Sequence, residues 1–462
     1  MHFSAHTALL ATVLMLGASS SALSQEPPTP PNTVLFENVH VFDGTTSKLS
    51  PITSVLVRDN LIAGIGITAS ENASETAQRI DGHGRTLMPG LIDNHWHTML
   101  VTPTPAQALE DDMGYTTLRA AKEAEATLMR GFTTVRDLGG ASFSLKRAID
   151  EGLVIGPRIY PSGAMITITG GHGDFRSRAE LPRRLGGPPS RMEAMGGSMV
   201  ADSPDEVRVR VREQLMLGAS QIKLTAGGGV ASPHSPLDVS TFNSEELRAA
   251  VEAAENWGTY VTVHAYTPAA IQRAIAAGVK VIEHGHLMDE ATARLMAKHG
   301  VWLSFQPFTD DGAVPLLAPE NQRRLQQVWT GTEQTIALAR KHKLKMAFGT
   351  DILFSAELAK QQGAELVKMS RWFSPAETLI MATSQNGELL KLSGPRDPYP
   401  GKIGVIEAGA LADLLLVDGD PLTHIDLLKD PAKNIRVIMK NGKIVKYANS
   451  SDSLTSHEPN GE

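Results

Sequence analysis

Six side chains of metal-binding type fall at or near the ends of apolar runs in this chain. His95 and His97 follow LMPGLIDN, Lys223 lies in QIKLTAGGG, His264 closes YVTVH, His284 closes VKVIEH, and Asp351 follows MAFGT. Four imidazoles, one amine and one carboxylate make a metal-ligand inventory rather than a core-packing one. The chemistry such a set supports is hydrolysis by a metal-bound hydroxide. His95 and His97 are two residues apart, so on a strand both rings leave the same face. Lys223 is the misfit, because burial disfavours an ammonium. Beside a metal its amine can take up CO2 as a carbamate, an anion with two oxygens able to bridge two cations. The Ile222 and Leu224 flanks and the Gly227-Gly228-Gly229 loop suit that role better than a buried salt bridge. Asp351 can act as both ligand and general acid/base, taking a proton from activated water and passing it to a leaving amine. It can also serve as the N-cap of a helix over ILFSAELAK.

These side chains need a scaffold that brings distant strand ends together. Residues 89–400 alternate strand-like runs (TTVRDLG, RIYPSG, QIKLTAG, YVTVHA, VKVIEHG, VWLSFQP, KMAFGTD) with amphipathic stretches such as SPDEVRVRVREQLMLG and SEELRAAVEAAENWG. Ser374, Pro375 and Glu377 form a strong helix start. Repeated βα units of this length predict an α/β fold, a (β/α)8 TIM barrel. An open doubly wound sheet would gather its site at one switch point, and no Gly-rich phosphate fingerprint follows the first strand. Residues 33–88 and 401–450 read instead as short strands, with Asn441-Gly442 as a hairpin signal. Neither piece suffices alone, so the two are expected to pair into one small β-domain built from both chain ends.

Residues 1–24 read as an export signal, with an apolar run from Ala8 to Leu16 and Ala22-Leu23-Ser24 as a cleavage site. That run is too short for a membrane span. The signal implies a periplasmic or secreted protein. Residues 25–32 read as a linker and 451–462 as a flexible tail. The absence of cysteine excludes disulfides. A net charge of −7 without a basic patch argues against nucleic acid.

PGLIDNHWH, GFTTVRDLGG, IKLTAGGG, VTVHAYT, VIEHGH, GTD and GVIEAGALADLLLVDGDP together resemble the metal-dependent amidohydrolase superfamily. The similarity covers residues 33–448. It points to the imidazolonepropionase-like branch, with its Xaa-Pro dipeptidases, N-acyl amino-acid carboxypeptidases and secreted ochratoxin hydrolases. The resemblance implies a β-sandwich beside the barrel and two zinc ions per chain. One ion would take His95, His97 and Asp351, the other His264 and His284, with carboxylated Lys223 bridging them. It also implies a small amide or dipeptide substrate and a homo-oligomer, with an octamer as one form. Specificity must then come from other strand-end residues. His172 in TGGHGD, a loop histidine with little packing to do, and Tyr266, which shares a face with His264, are the candidate substrate contacts. His286 and His234 read as solvated or supporting residues, Arg136 and Asp137 as an internal ion pair, and 173–200 as a lid or a surface excursion. A mononuclear cyclic amide hydrolase or deaminase is the alternative, and Lys223 counts against it. Which acyl and amine groups are accepted is not written in these motifs.

Overall fold

The structure, a computed structural model, describes residues 32–181, 183–309 and 319–448. The expected signal segment, nearly all of the linker, the tail and residues 310–318 lie outside the described residues.

Both chain ends contribute to one eight-stranded sheet. Thr33–Val41 pairs with Thr53–Arg58, then with Gln78–Asp81 and, past an irregularity at Phe36/Val39, with Thr86–Pro89. Thr86–Pro89 pairs antiparallel with Leu414–Val417, and the sheet continues through Ile435–Lys440 and Lys443–Tyr447. Phe36, Val55, Leu87, Leu414 and Val437 bury a shared core. Asn441 and Gly442 turn the last hairpin with φ of 52° and 71°, the positive pair that a type I′ turn requires.

The intervening chain forms parallel sheets. Leu91–Trp96, Phe132–Asp137 and Arg158–Pro161 make one of three strands. Ser198–Val200, Met165–Thr167, Ile222–Thr225, Val261–Ala265, Val281–His284, Trp302–Phe305 and Met346–Phe348 make another of seven, in that order. Nearly all their residues are buried, as expected for strands covered on both faces. The connecting helices start where their caps dictate. Ser203 caps Pro204–Leu217, and Asn243 and Glu246 form a capping box on Ser244–Glu255. Ser374 and Glu377 form the expected box on Pro375–Ile380. Asp351 is not an N-cap: Ser355 caps Ala356–Lys360, because the chain after Asp351 runs on through a loop before it turns helical. The segment 173–200 is not wholly irregular, since Ser198–Val200 joins the edge of the seven-stranded sheet. Among the described residues no helix is long and apolar enough to cross a membrane.

Candidate active site

The C-terminal ends of these strands deliver the candidate ligands. His95 is the penultimate residue of the strand Leu91–Trp96 and His97 directly follows the strand; Asp351 lies just beyond Met346–Phe348. The Asp351 amide donates to His95 O at 2.8 Å, which locks the two strand ends together. His95 Nε2 and His97 Nε2 then lie 3.2 and 3.1 Å from Asp351 Oδ1. Lys223 Nζ is 3.5 Å from His95 Nε2, and His284 Nε2 is 4.0 Å from Asp351 Oδ2. Asp351 and His284 hold φ of 54° and 75°, a costly backbone region for non-glycine residues that concentrates at functional sites.

Buried carboxylates beside these ligands organise them. Asp93 accepts from the His95 and Thr350 amides, each at 3.0 Å, and from the Thr350 hydroxyl and Gln362 Nε2. Even so, burial pushes its carboxyl up to about 6. Glu283 Oε2 lies 2.9 Å from His95 Nδ1, and Glu283 Oε1 is 2.7 Å from Arg136 Nη2. The expected Arg136–Asp137 pair is therefore corrected. Neighbours on a strand point to opposite faces, so Arg136 reaches across to Glu283. Asp137 accepts from the Thr98 and Gly139 amides instead.

The other rings form a stack. His264 packs on His172 at 4.2 Å and edge-on to His284 at 4.5 Å; Tyr266 stacks on His284 at 4.9 Å. His264 Nε2 is committed to Gly228 O at 2.8 Å. His172 is thus packed, contrary to its sequence reading, and its Nδ1 has no partner among the described residues. His286 is buried rather than solvated, between Phe305 and Phe308, with Nε2 3.0 Å from Gln306 O. His234, half-buried, lies 2.7 Å from Arg176 O and outside this ring stack. Sequence reasoning passed over Glu283, Asp93 and Gln306. A charge inside an apolar strand, the signal that singled out Lys223, was equally present at Glu283 in VKVIEHG.

The electrostatics suit a cation. Burial holds His95 and His172 down to about 4, so both rings are neutral donors of a lone pair at pH 7. Burial works to raise Asp351, but His95, His97 and Lys223 outweigh it and hold the carboxyl well below the usual range. Burial lowers Lys223 to about 8, against the opposing pull of Glu283 and Asp351. Ligand atoms of His95, His97 and Asp351 all lie within 4.8 Å of one another, spacing that fits one cation with bonds of roughly 2.1 Å. His284 Nδ1, buried without a partner among the described residues, is a further donor free for a ligand.

The amidohydrolase family model matches residues 86–445. This chain belongs to the amidohydrolase family. Like its relatives, this amidohydrolase is a hydrolase of amide bonds. It is 29% identical to the ochratoxinase of Aspergillus niger over 421 residues, covering 85% of this chain and 82% of the relative. The crystal structure of that enzyme aligns over 91% of this chain and 97% of its own, with a TM-score of 0.79. A crystallised amidohydrolase is 38% identical, with a TM-score of 0.81 over 90% of this chain and 99% of its own. A prolidase crystallised with N-methylphosphonate-L-proline is 34% identical, with a TM-score of 0.82 over 90% and 100%.

Proposed function

We propose that this amidohydrolase is a binuclear zinc enzyme that releases a C-terminal amino acid from N-acyl amino acids or dipeptides. Ochratoxin A, cleaved to ochratoxin α and phenylalanine, is within this substrate class. The observation that carries the reading is the convergence of His95, His97 and Asp351, with Lys223 and His284 within 4.0 Å of members of that set. His95, His97 and Asp351 would hold one cation, His264 and His284 the second, with Lys223 between them as a carbamate. Bound zinc would lower the pKa of a coordinated water and polarise the scissile carbonyl. Asp351, held ionised, accepts the proton of the attacking water and delivers it to the departing amine. Burial, with the Asp351 charge beside it, pushes Tyr266 far above its ordinary value, so its hydroxyl remains a donor for a developing oxyanion or a substrate carboxylate. His172, stacked on His264, is the second proposed substrate contact. The Tyr266, His286 and Phe308 rings suit an aromatic or apolar substrate.

The two parallel sheets are inferred to be one (β/α)8 barrel. Arg158–Pro161 and Met165–Thr167 lie close together in the chain, one in each sheet. The Asp351–His95 bond and the Asp93–Thr350 bonds link the first and last strands. The sheet of chain ends is inferred to fold into a sandwich where Thr33–Val41 changes partner. Export and assembly into a homo-oligomer complete the reading.

The experiment is hydrolysis of N-acyl-phenylalanines, ochratoxin A and Xaa-Pro dipeptides by wild type and by Lys223→Ala. Turnover of the first two, lost in Lys223→Ala and returned by a short carboxylic acid, is expected. Unchanged activity in Lys223→Ala would end the carbamate reading. Turnover of Xaa-Pro dipeptides alone would select a dipeptidase, the reading favoured by likeness to the prolidase.

A further inference from the structure

We propose that Glu283 fixes His95 in its Nδ1–H tautomer and so turns the Nε2 lone pair toward the metal-binding face. The inference rests on the metal-site reading above and adds a positioning residue to it.

Glu283 is fully buried, and its two oxygens do different work. Oε1 accepts from Arg136 Nη2 at 2.7 Å and from the Thr262 hydroxyl. Oε2 faces His95 Nδ1 at 2.9 Å. Arg136 is itself anchored on Asn94 O at 2.7 Å, on the Tyr260 hydroxyl at 3.2 Å and on Ser304 Oγ at 3.3 Å. The Glu283 carboxylate therefore cannot turn away from His95 without breaking its bonds to Arg136 and Thr262.

A carboxylate is an acceptor only. Facing an imidazole nitrogen at this distance, it is satisfied if that nitrogen carries the proton and repelled if it carries the lone pair. One competitor is present. Gln306 Nε2 lies 3.2 Å from the same His95 nitrogen, and donation from it would force the proton onto Nε2. That amide group also lies 3.3 Å from Ser304 O, which can take its proton instead. Glu283 Oε2 has no other partner among the described residues, and its 2.9 Å approach to Nδ1 is an ion-pair contact rather than an aligned hydrogen bond. A small turn of the His95 ring would give this buried carboxylate oxygen a charge-assisted bond, roughly twice as strong as a neutral one, so Glu283 is the stronger claimant on the nitrogen. His95 Nε2, the atom 3.2 Å from Asp351 Oδ1, is then left with its lone pair exposed to a cation. Removing the Glu283 charge reverses the outcome, because Gln306 becomes the better partner and closes the ligand atom with a proton.

The experiment compares wild type, Glu283→Gln and the double variant Glu283→Gln/Gln306→Glu. Zinc affinity is read by competition with a chromophoric chelator, and the His95 ring by 15N NMR of metal-free, histidine-labelled protein. Wild type is expected to show a protonated Nδ1. Glu283→Gln is expected to shift the proton to Nε2 and to bind zinc roughly 10–100-fold more weakly. The double variant, with its carboxylate returned to the same nitrogen, is expected to regain most of that affinity, which mere neutralisation of Arg136 would not produce. Wild-type zinc affinity in Glu283→Gln, or a protonated Nε2 in metal-free wild type, would overturn the proposal. The wild-type NMR result decides it even where Glu283→Gln does not fold. Failure of wild type to bind zinc at all would instead refute the metal-site reading, while the ring proton still reports on Glu283.

Discussion

The two halves of the ligand set are built differently. On one side, His95 is flanked by Glu283, His97 Nδ1 lies 3.4 Å from Gly139 O, and Asp351 is tied through its amide to His95 O. Carboxylates and backbone hold these groups before any ion arrives. On the other side, His264, His284, His172 and Tyr266 contact one another mainly through ring faces and edges. His264 Nε2 binds a loop carbonyl, and His284 Nδ1 has no partner among the described residues. Hydrogen bonds fix which nitrogen faces the site, whereas stacking fixes only where the ring lies. The first half suits a single cation without rearrangement; in the proposed reading the second half adapts to a second ion and a substrate.

Asp351→Asn attacks the held half at its proposed carboxylate ligand. Turnover is expected to fall by roughly 10²–10⁴-fold in a protein that still folds. Retained turnover would remove Asp351 from the chemistry. Arg136→Met leaves the Glu283 charge buried and unpaired, so urea denaturation is expected to show a loss of about 3–5 kcal/mol. A loss below about 1 kcal/mol would mean that the held half is not held by this pair.

Proton linkage tests the ring stack. Burial keeps His172 and His286 neutral down to about 4 in the folded protein, whereas a histidine of the unfolded chain takes a proton near 6.5. The unfolded state therefore binds more protons between those values, and metal-free protein loses stability as pH falls from 6.5 toward 4. Asp93, raised to about 6, and Asp137, also raised by burial, act in the opposite direction, but they are two carboxyls against several rings. The thermal midpoint of metal-free protein is expected to drop by several degrees between pH 7 and 5; a flat profile would contradict the buried, neutral rings. The smallest effect belongs to Tyr266→Phe. It removes one neutral donor and should lower kcat/KM by up to about tenfold, while zinc content stays unchanged.

The strands were legible because apolar runs ending in Gly, Asp or Asn leave few alternatives, and Ser374-Pro375-Ala376-Glu377 specified its own helix start. The proposed ligands were legible as polar residues at those ends. The partners that orient them were not. Arg136 finds Glu283 at 147 residues' remove, a choice made by sheet packing rather than local pattern. The glycines around His172 suggested an open loop, yet the ring lies against His264, because the fold brings Gly229 and the 170–173 turn together. Tautomers and ring stacking are properties of three-dimensional neighbours, so no spacing rule exposes them.

The central claim is that the His95–His97–Asp351 seat holds a catalytic cation and the stacked half a second. Zinc titration of chelator-stripped protein, followed by amide hydrolysis and by bound metal, tests it most directly. The account predicts a folded, inactive stripped protein whose activity returns in full at two zinc ions per chain. Full activity with no bound metal would contradict it outright, and saturation at one ion would contradict the second half.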